Sequence, residues 1–474
     1  MLVSRRILIY FFVLFFSTPL FAQTQWSLEQ CILYAQEHNI TIKQSALNVQ
    51  LSEQTNLQAK LNLLPTLNGS TNYGFSFGKN IDPTSNTFIT SNYQSASFSV
   101  STGVTLFNGL QKENGIKQAE FNLLAAQSNF QKIKNDISLS IAAAFLQVLY
   151  AKENLNNMQS QKNLLAAQLD KTKILVVANI LAEGNQFDME AQVAQQNLNE
   201  VTAKNSLDLA KLNLSQLLDL DSTIDIATPM LTFTKDMLFS GSLSVGAIYQ
   251  TALISQPQIQ ASQYSLFAAQ KGLNIAKGRL YPSLSFYGSV STNYSNAVKK
   301  INSVDTSGFH TIGFVQSTNE LVLSPSFTYS FVKTPFGDQF KDNFGQSVGF
   351  SLSIPIFDAW NAHTGVESAK INFLNAQYNY ELVQNQLKKD VQTAYADAVA
   401  GKDKYNAALA NETAIEKSFN NAKQKFDLGA ISSVDFNVAQ NNLVQAQSQV
   451  LQAKYDYIFK LKILDFYQGK PLTL

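Results

Sequence analysis

Residues 104–127, VTLFNGLQKENGIKQAEFNLLAAQ, return as IPIFDAWNAHTGVESAKINFLNAQ at 354–377. This offset of 250 places Phe107, Gly115, Ala119 and Gln127 on Phe357, Gly365, Ala369 and Gln377. An earlier block, 28–67, falls on 245–284 at an offset of 217, so that Ala35 meets Ala252, Ile42 meets Ile259 and Pro65 meets Pro282. A third, 181–198, aligns with 428–445 at 247 and pairs Asp188 with Asp435. A chain that carries one layout twice is expected to fold as two copies of one unit. The growth from 217 to 250 inserts about 33 residues into the second copy, between the first two blocks.

Within each copy the hydrophobic period changes abruptly. From Ser347 to Ile356, Val348, Phe350, Leu352, Ile354 and Ile356 fall on one face, and Ser347, Gly349, Ser351 and Ser353 on the other. That period of two is a strand with one apolar face. Segments 66–77, 97–107 and 283–294 alternate in the same way, and together with 347–357 they make four strands. Two environments suit such strands. One is a soluble sandwich whose polar face meets water, usually with charges. The other is a barrel in lipid around a watery lumen. Because a barrel needs about eight strands, one chain cannot close it. Three copies would pool twelve.

Past the strand, apolar residues recur every three or four positions: Ala119, Leu123, Ala126, Phe130, Ile133, Ile137 and Ile141, then Ala369, Phe373, Ala376, Tyr380, Val383, Leu387 and Val391. A mean step near 3.5 is coiled-coil spacing. It predicts long helices over 109–178 and 359–427, each about 100 Å at 1.5 Å per residue, followed by helices over 187–220 and 434–467. Asn108 and Asp358 stand where N-caps belong, with Gly109 beside the first, and Asn108–Gln111 has capping-box spacing. Pro355 has no amide to give a ladder, so pairing is expected to lapse there.

The expected architecture is mixed α+β in two structural repeats, 23–221 and 243–474, each with two strands and long coiled-coil helices; if the strands cross lipid it is a mixed α+β membrane protein with two transmembrane strands in each repeat. Residues 222–242 break periodicity and link the repeats as an irregular band. If the strands form a barrel in lipid, the insertion, 295–346, is expected to be an extracellular loop that plugs or decorates the pore. At the N-terminus, Arg5 and Arg6 precede an apolar run from Ile7 to Phe16 and then Ala22, the layout of a signal peptide over 1–22.

Composition narrows function. A net charge of +1 with 15% charged residues offers no electrostatic footprint for nucleic acid. The single cysteine, Cys31, excludes an intrachain disulfide. His38, His310 and His363 lie far apart without metal-ligand spacing. Asp219, Asp221 and Asp225 lack the glycine and terminal glutamate of a calcium loop. No catalytic residue, metal or cofactor is expected, and an enzyme is not.

The duplicated layout, LFNG and IFDAW at the strand-to-helix joints, and LGAISSVDFNVAQNNLVQAQ at a helix–helix turn form an ordered set. In that order the chain resembles the TolC family of outer-membrane efflux channels over essentially its whole mature length. The loop GKNIDPTSNTFITSNYQSASFSV (78–100) looks like the Bacteroidetes versions. The resemblance implies a homotrimer with a twelve-stranded barrel in outer-membrane lipid and an α-helical tunnel through the periplasm. It also implies passive transport, docking to a periplasmic adaptor, and an inner-membrane pump of the RND or ABC type.

Family carboxylates near the last helix turn form a gate, and the matching position here is Asp435. Gly429, Gly184, Asp188 and Phe426 lie at the same periplasmic tips. Where some members carry a second aspartate, this chain has Val438. Where some tie the turn shut with Tyr and Arg, it has Phe426 and Ile431. A plainer role competes: Asp188 follows Asn185 by three residues and Asp435 follows Ser432 by three, so each acid also suits the first turn of a capped helix. Gly429 suits a helix C-cap. Two rivals of other classes are a surface coiled-coil protein, which leaves the strands unexplained, and a general porin, which leaves the helices unexplained.

Overall fold

The computed structural model describes residues 25–81, 88–90, 92–227 and 244–473. The signal-peptide segment 1–22 and linker residues 228–242 lie outside the described residues. The first repeat runs α1 (Leu28–His38), α2 (Ile40–Leu61), β1 (Thr66–Ser76), β2 (Lys79–Ile81), β3 (Phe88–Thr90), β4 (Tyr93–Phe107), α3 (Gln111–Val177) and α4 (Glu183–Leu217). The second runs α5 (Val245–Ser255), α6 (Pro257–Gly278), β5 (Ser283–Ser295), β6 (Lys299–Phe314), β7 (Leu321–Lys333), α7 (Phe336–Asp342), β8 (Gly345–Ser353), α8 (Asn361–Asp427) and α9 (Ser433–Tyr467). Among the described residues no helix is long and apolar enough to cross a membrane.

The element boundaries carry the duplication. Those of α1, α2 and the start of β1 recur 217 residues later in α5, α6 and β5, and every boundary of α3 and α4 recurs 250 residues later in α8 and α9. The offset of 247 is therefore a slip of three. Asp435 is equivalent to Asn185, and Asp188 to Val438. In a helix patterned at 3.5 residues, a shift of three restores the apolar stripe, so local matches at either offset look alike.

One compact unit comprises Met1–Gln54, Phe121–Phe267 and Leu374–Leu474, and among its described residues the regular elements are helices joined by turns. Its packing repeats like its sequence. Cys31 and Ala35 of α1 join Ile141, Phe145 and Val148 of α3 in one buried cluster; Ile248 and Ala252 of α5 join Leu387, Val391 and Ala398 of α8 in another. Linker residue Ile226 is buried and bridges to Trp26.

The other unit comprises Thr55–Glu120 and Ala268–Phe373. It holds a four-stranded antiparallel sheet in the order β1-β4-β5-β8. Register sorts the side chains cleanly. Val100 pairs with Val290, Phe286 with Phe350 and Leu284 with Leu352 on one face; Ser70 pairs with Ser99, Ser99 with Ser291 and Ser289 with Ser347 on the other. Hydroxyls of Ser70 and Ser99, and of Ser289 and Ser347, bond across strands at 2.7 and 2.8 Å. None of these four strands contains a charged residue. Pairing of β8 stops at Ser353, two residues before Pro355, rather than at 357. Strand β4 begins at Tyr93, four residues earlier than the pattern indicated.

The segment 295–346 is not a loop. It forms the two-stranded ribbon β6–β7 and the short helix α7. Three register shifts, near Asn302, Ser307 and Ile312, interrupt the alternation of β6 and hid the strand from a period-two reading.

At the joints, two consecutive residues take positive φ before each long helix: Gly109 (67°) and Leu110 (61°), then Ala359 (52°) and Trp360 (68°). The helices thus start at Gln111 and Asn361 rather than 109 and 359. Asn108 Oδ1 accepts from the Gln111 amide at 3.2 Å, and Asp358 Oδ2 accepts from the Ala362 amide at 2.7 Å. Gln111 reaches back to the Asn108 carbonyl, not its amide, so the capping box is incomplete.

Candidate functional site

The two helical hairpins, α3–α4 and α8–α9, end in turns of one design. Asn179 (φ 58°) and Gly429 (φ 71°) occupy the left-handed position. The Asn179 and Ile180 amides donate to the Val176 and Leu175 carbonyls, and the Gly429 and Ala430 amides to the Phe426 and Lys425 carbonyls. Each is a Schellman turn, which satisfies carbonyls that the helix end leaves open.

The following helix starts differ. Ser432 is the N-cap of α9: its Oγ accepts from the Asp435 amide at 3.1 Å and donates to Asp435 Oδ2 at 2.7 Å. The N-cap of α4 is Ala182, without a side-chain bond, and not Asn185, which lies inside the helix. Helix α4 therefore starts at Glu183, before the expected 187, and exposed Gly184 sits in its first turn with no contact that a side chain would disturb. Buried Ser433 bridges the two helix starts, its hydroxyl lying 3.2 Å from Asn185 Oδ1 and 3.1 Å from Asp188 Oδ2. Asp435 and Asp188 are thus both at the tips, but on inequivalent positions and with different partners.

Phe426 and Ile431 flank Phe436, which is 1% exposed. The Phe436 ring stacks on Phe426 at 4.7 Å and packs on Phe419 at 5.7 Å, with Leu443, Ile415 and Leu164 of α3 in the same cluster. The charged contact between the hairpins beside this cluster is peripheral: Lys171 meets Asp427 at 2.7 Å with both side chains substantially exposed. Exposed pairs of this kind contribute only about 0–1 kcal/mol.

Above this cluster α3 and α9 meet through amides. Gln440 Nε2 donates to Gln161 Oε1 and Gln161 Nε2 to Gln447 Oε1, each at 3.3 Å. Gln168 and Asn437 are buried with side-chain atoms that have no partner. Neither cluster was singled out from sequence. The signal was spacing: Phe419 and Phe426, Phe436 and Leu443, and Gln161 and Gln168 each lie seven apart, one heptad.

A chain with duplicated helical hairpins and a charge-free sheet invites comparison with known proteins. The sequence model described as Outer membrane efflux protein matches residues 32–219 and 248–469. The chain belongs to the outer membrane efflux protein family. It is an outer-membrane protein, and its relatives include the efflux protein BepC of Brucella suis, 22% identical over 451 residues that cover 91% of this chain and 83% of BepC. Outer membrane protein TolC of Escherichia coli is 24% identical over 69% of this chain, and the match spans 60% of TolC. Among solved structures, CusC superimposes with a TM-score of 0.76 over 94% of this chain and 93% of its own, at 16% identity. That likeness shows the fold: long helices running directly into a small antiparallel sheet.

Proposed function

We propose that this efflux protein is the passive conduit of a tripartite system, in which three copies pool four strands each into a twelve-stranded barrel and their helices form a periplasmic tunnel. One observation carries the reading. The sheet has free edges on β1 and β8, yet its strands carry an apolar face with exposed Leu67, Tyr73, Val348, Phe350 and Leu352. Lipid does not tolerate unpaired strand edges. Because the sheet has an even number of antiparallel strands, β8 of one copy runs antiparallel to β1 of the next, and closure continues the same pairing. The serine face then lines an uncharged lumen.

The deciding experiment is the protein molar mass of the detergent-extracted particle, by light scattering with detergent subtracted. Three times the mass of the mature chain is expected. A monomer would leave two open edges in lipid and defeat the reading.

The hairpin tips are the proposed contact with a periplasmic adaptor, which in turn meets an inner-membrane RND or ABC-type pump. Exposed Ile174, Val177, Ile180, Phe187 and Leu428 give these tips an apolar surface suited to a protein partner. Asp435 is the proposed charge of the constriction. Asp435→Asn keeps the backbone amide that Ser432 caps while removing the charge. Single-channel recordings are expected to show weaker cation selectivity at unchanged thermal stability. Unchanged selectivity would leave Asp435 with capping alone.

A further inference from the structure

The two hairpins of the sheet share one register. Thr66 of β1 faces Gly103 of β4. Moving 217 residues along from Thr66 and 250 along from Gly103, the offsets that relate the repeats, gives Ser283 and Ser353, and these face each other across β5 and β8. Duplication therefore holds down to individual residue pairs, not only to element boundaries. A sheet built this way has two kinds of seam. One, β4 against β5, lies inside the chain. The other, β8 against β1, can form only between copies, because these strands are opposite edges of the sheet, about 14 Å apart at three strand spacings.

Across the inner seam Val100 faces Val290 and Phe98 faces Thr292. Carrying each β4 residue forward by 250 and each β5 residue back by 217 turns these pairs into Phe350 opposite Tyr73 and Val348 opposite Phe75. We infer that β8 of one copy pairs with β1 of the next in this register, which rests on reading three copies as one closed barrel. Ser347, Ser351 and Ser353 then face Ser76, Asn72 and Ser70 of the next copy.

The register keeps apolar residues on one side and small polar ones on the other. A slip of one residue would set Phe350 against Asn72 or Gly74 and mix the faces. Two further features select it. Phe286 meets Phe350 at 5.3 Å and Tyr73 meets Phe75 at 5.3 Å, so pairing Phe350 with Tyr73 joins two aromatic pairs into one row. A Cβ on Gly349 would stand 2.6 Å from the Tyr287 hydroxyl, so the phenol reaches from β5 over β8. The register sets Gly74 of the next copy opposite Gly349, again without a side chain. A slip of two would put Asn72 or Ser76 there, and set a side chain beside the phenol where glycine leaves room.

Exposure distinguishes the formed seam from the open one. Val100 and Val290 are 47% and 39% exposed, whereas their equivalents Phe350 and Tyr73 are 67% and 60% exposed. Helix α7 covers the apolar side of the inner seam, its Phe336 and Phe340 lying on Phe98 and its Phe336 on Tyr294, with ring centroids 5.2–6.3 Å apart. It leaves both outer edges unpaired among the described residues.

Disulfide trapping in the detergent-extracted full chain, read on non-reducing denaturing gels, tests the register. Cys31 is fully buried, its thiol pushed up to about 12 by desolvation, and does not compete. Ser353→Cys with Ser70→Cys, and Ser347→Cys with Ser76→Cys, place thiols at the two ends of the seam with little change in side-chain size. Directly opposite Cα atoms lie about 4.5–5.5 Å apart, within disulfide reach, whereas neighbours two residues off lie at about 7–8 Å, beyond it. Mild oxidation is expected to convert each pair to a covalent species of three chains that reductant returns to one. Ser351→Cys with Ser70→Cys, and Ser353→Cys with Asn72→Cys, are two residues off in opposite directions and are expected to cross-link several-fold less. Preferential cross-linking of either offset pair would overturn the register and leave the barrel standing. So would a particle of three-chain mass in which no pair cross-links. Single-chain mass for parent and variants alike would instead remove the barrel reading itself.

Discussion

Gly109→Ala is expected to destabilise the protein by about 2–5 kcal/mol, read as a lowered unfolding midpoint and a lower folded yield of the detergent-purified particle. Two effects add. At φ 67° an L side chain is in the left-handed region, which costs roughly 1–2 kcal/mol. A Cβ there would also be driven into the carbonyl oxygen of Gly278, a backbone atom that cannot swing aside. Overpacking of this kind costs about 1–3 kcal/mol. Gly278 makes the reciprocal approach, 2.7 Å from its own would-be Cβ to the Gly109 carbonyl, so α6 and the joint cross glycine on glycine. The equivalent position in the second repeat is Ala359, left-handed at 52° and exposed. Ala359→Gly is expected to shift the other way, stabilising by about 1 kcal/mol through relief of that strain. A Gly109→Ala protein as stable as the parent would mean that the joint relaxes without cost.

Phe436→Ala is expected to loosen the tips, at a cost of about 3–5 kcal/mol, the range for removing a buried aromatic. The ring is 1% exposed and touches Phe419 and Phe426 within its own hairpin and the neighbourhood of Leu164 on the other. If the tips are the gate, losing this cluster should raise single-channel conductance and open probability. Lys171→Ala, which deletes the exposed pair with Asp427, should change neither by more than the ~1 kcal/mol such pairs are worth. Closure should also hold at high salt, because the hydrophobic cluster is not screened. A channel opened by salt or by Lys171→Ala, and not by Phe436→Ala, would show that ion pairs hold the tips.

Much of the fold was legible because it is written in period. Alternation through Ser347–Ser353 and the three-four spacing through Ala119–Ile141 are properties of side-chain order, and duplication made each visible twice. The ribbon was not legible: its bulges at Asn302, Ser307 and Ile312 break the alternation that a strand reading depends on. The tips were half legible. Gly429 and Ser432 announce a stop and a start by their chemistry, whereas Ala182 caps a helix with no side-chain signal at all.

The sequence by itself determined the two repeats, the charge-free strands with one apolar face, and the abrupt change from strand to helix at Asn108 and Asp358. Each follows from the nearest neighbours along the chain. Only the tertiary structure decided that Asp188 matches Val438 rather than Asp435, that Phe436 joins Leu164, Phe419 and Phe426, and that α7 returns along the apolar side of the sheet. These depend on contacts between distant segments. A helix stripe spaced at 3.5 packs almost equally well after a slip of three, and an aromatic on a loop can turn to either face of a wall. Burial of specific partners selects one arrangement, and the sequence alone does not name the partners.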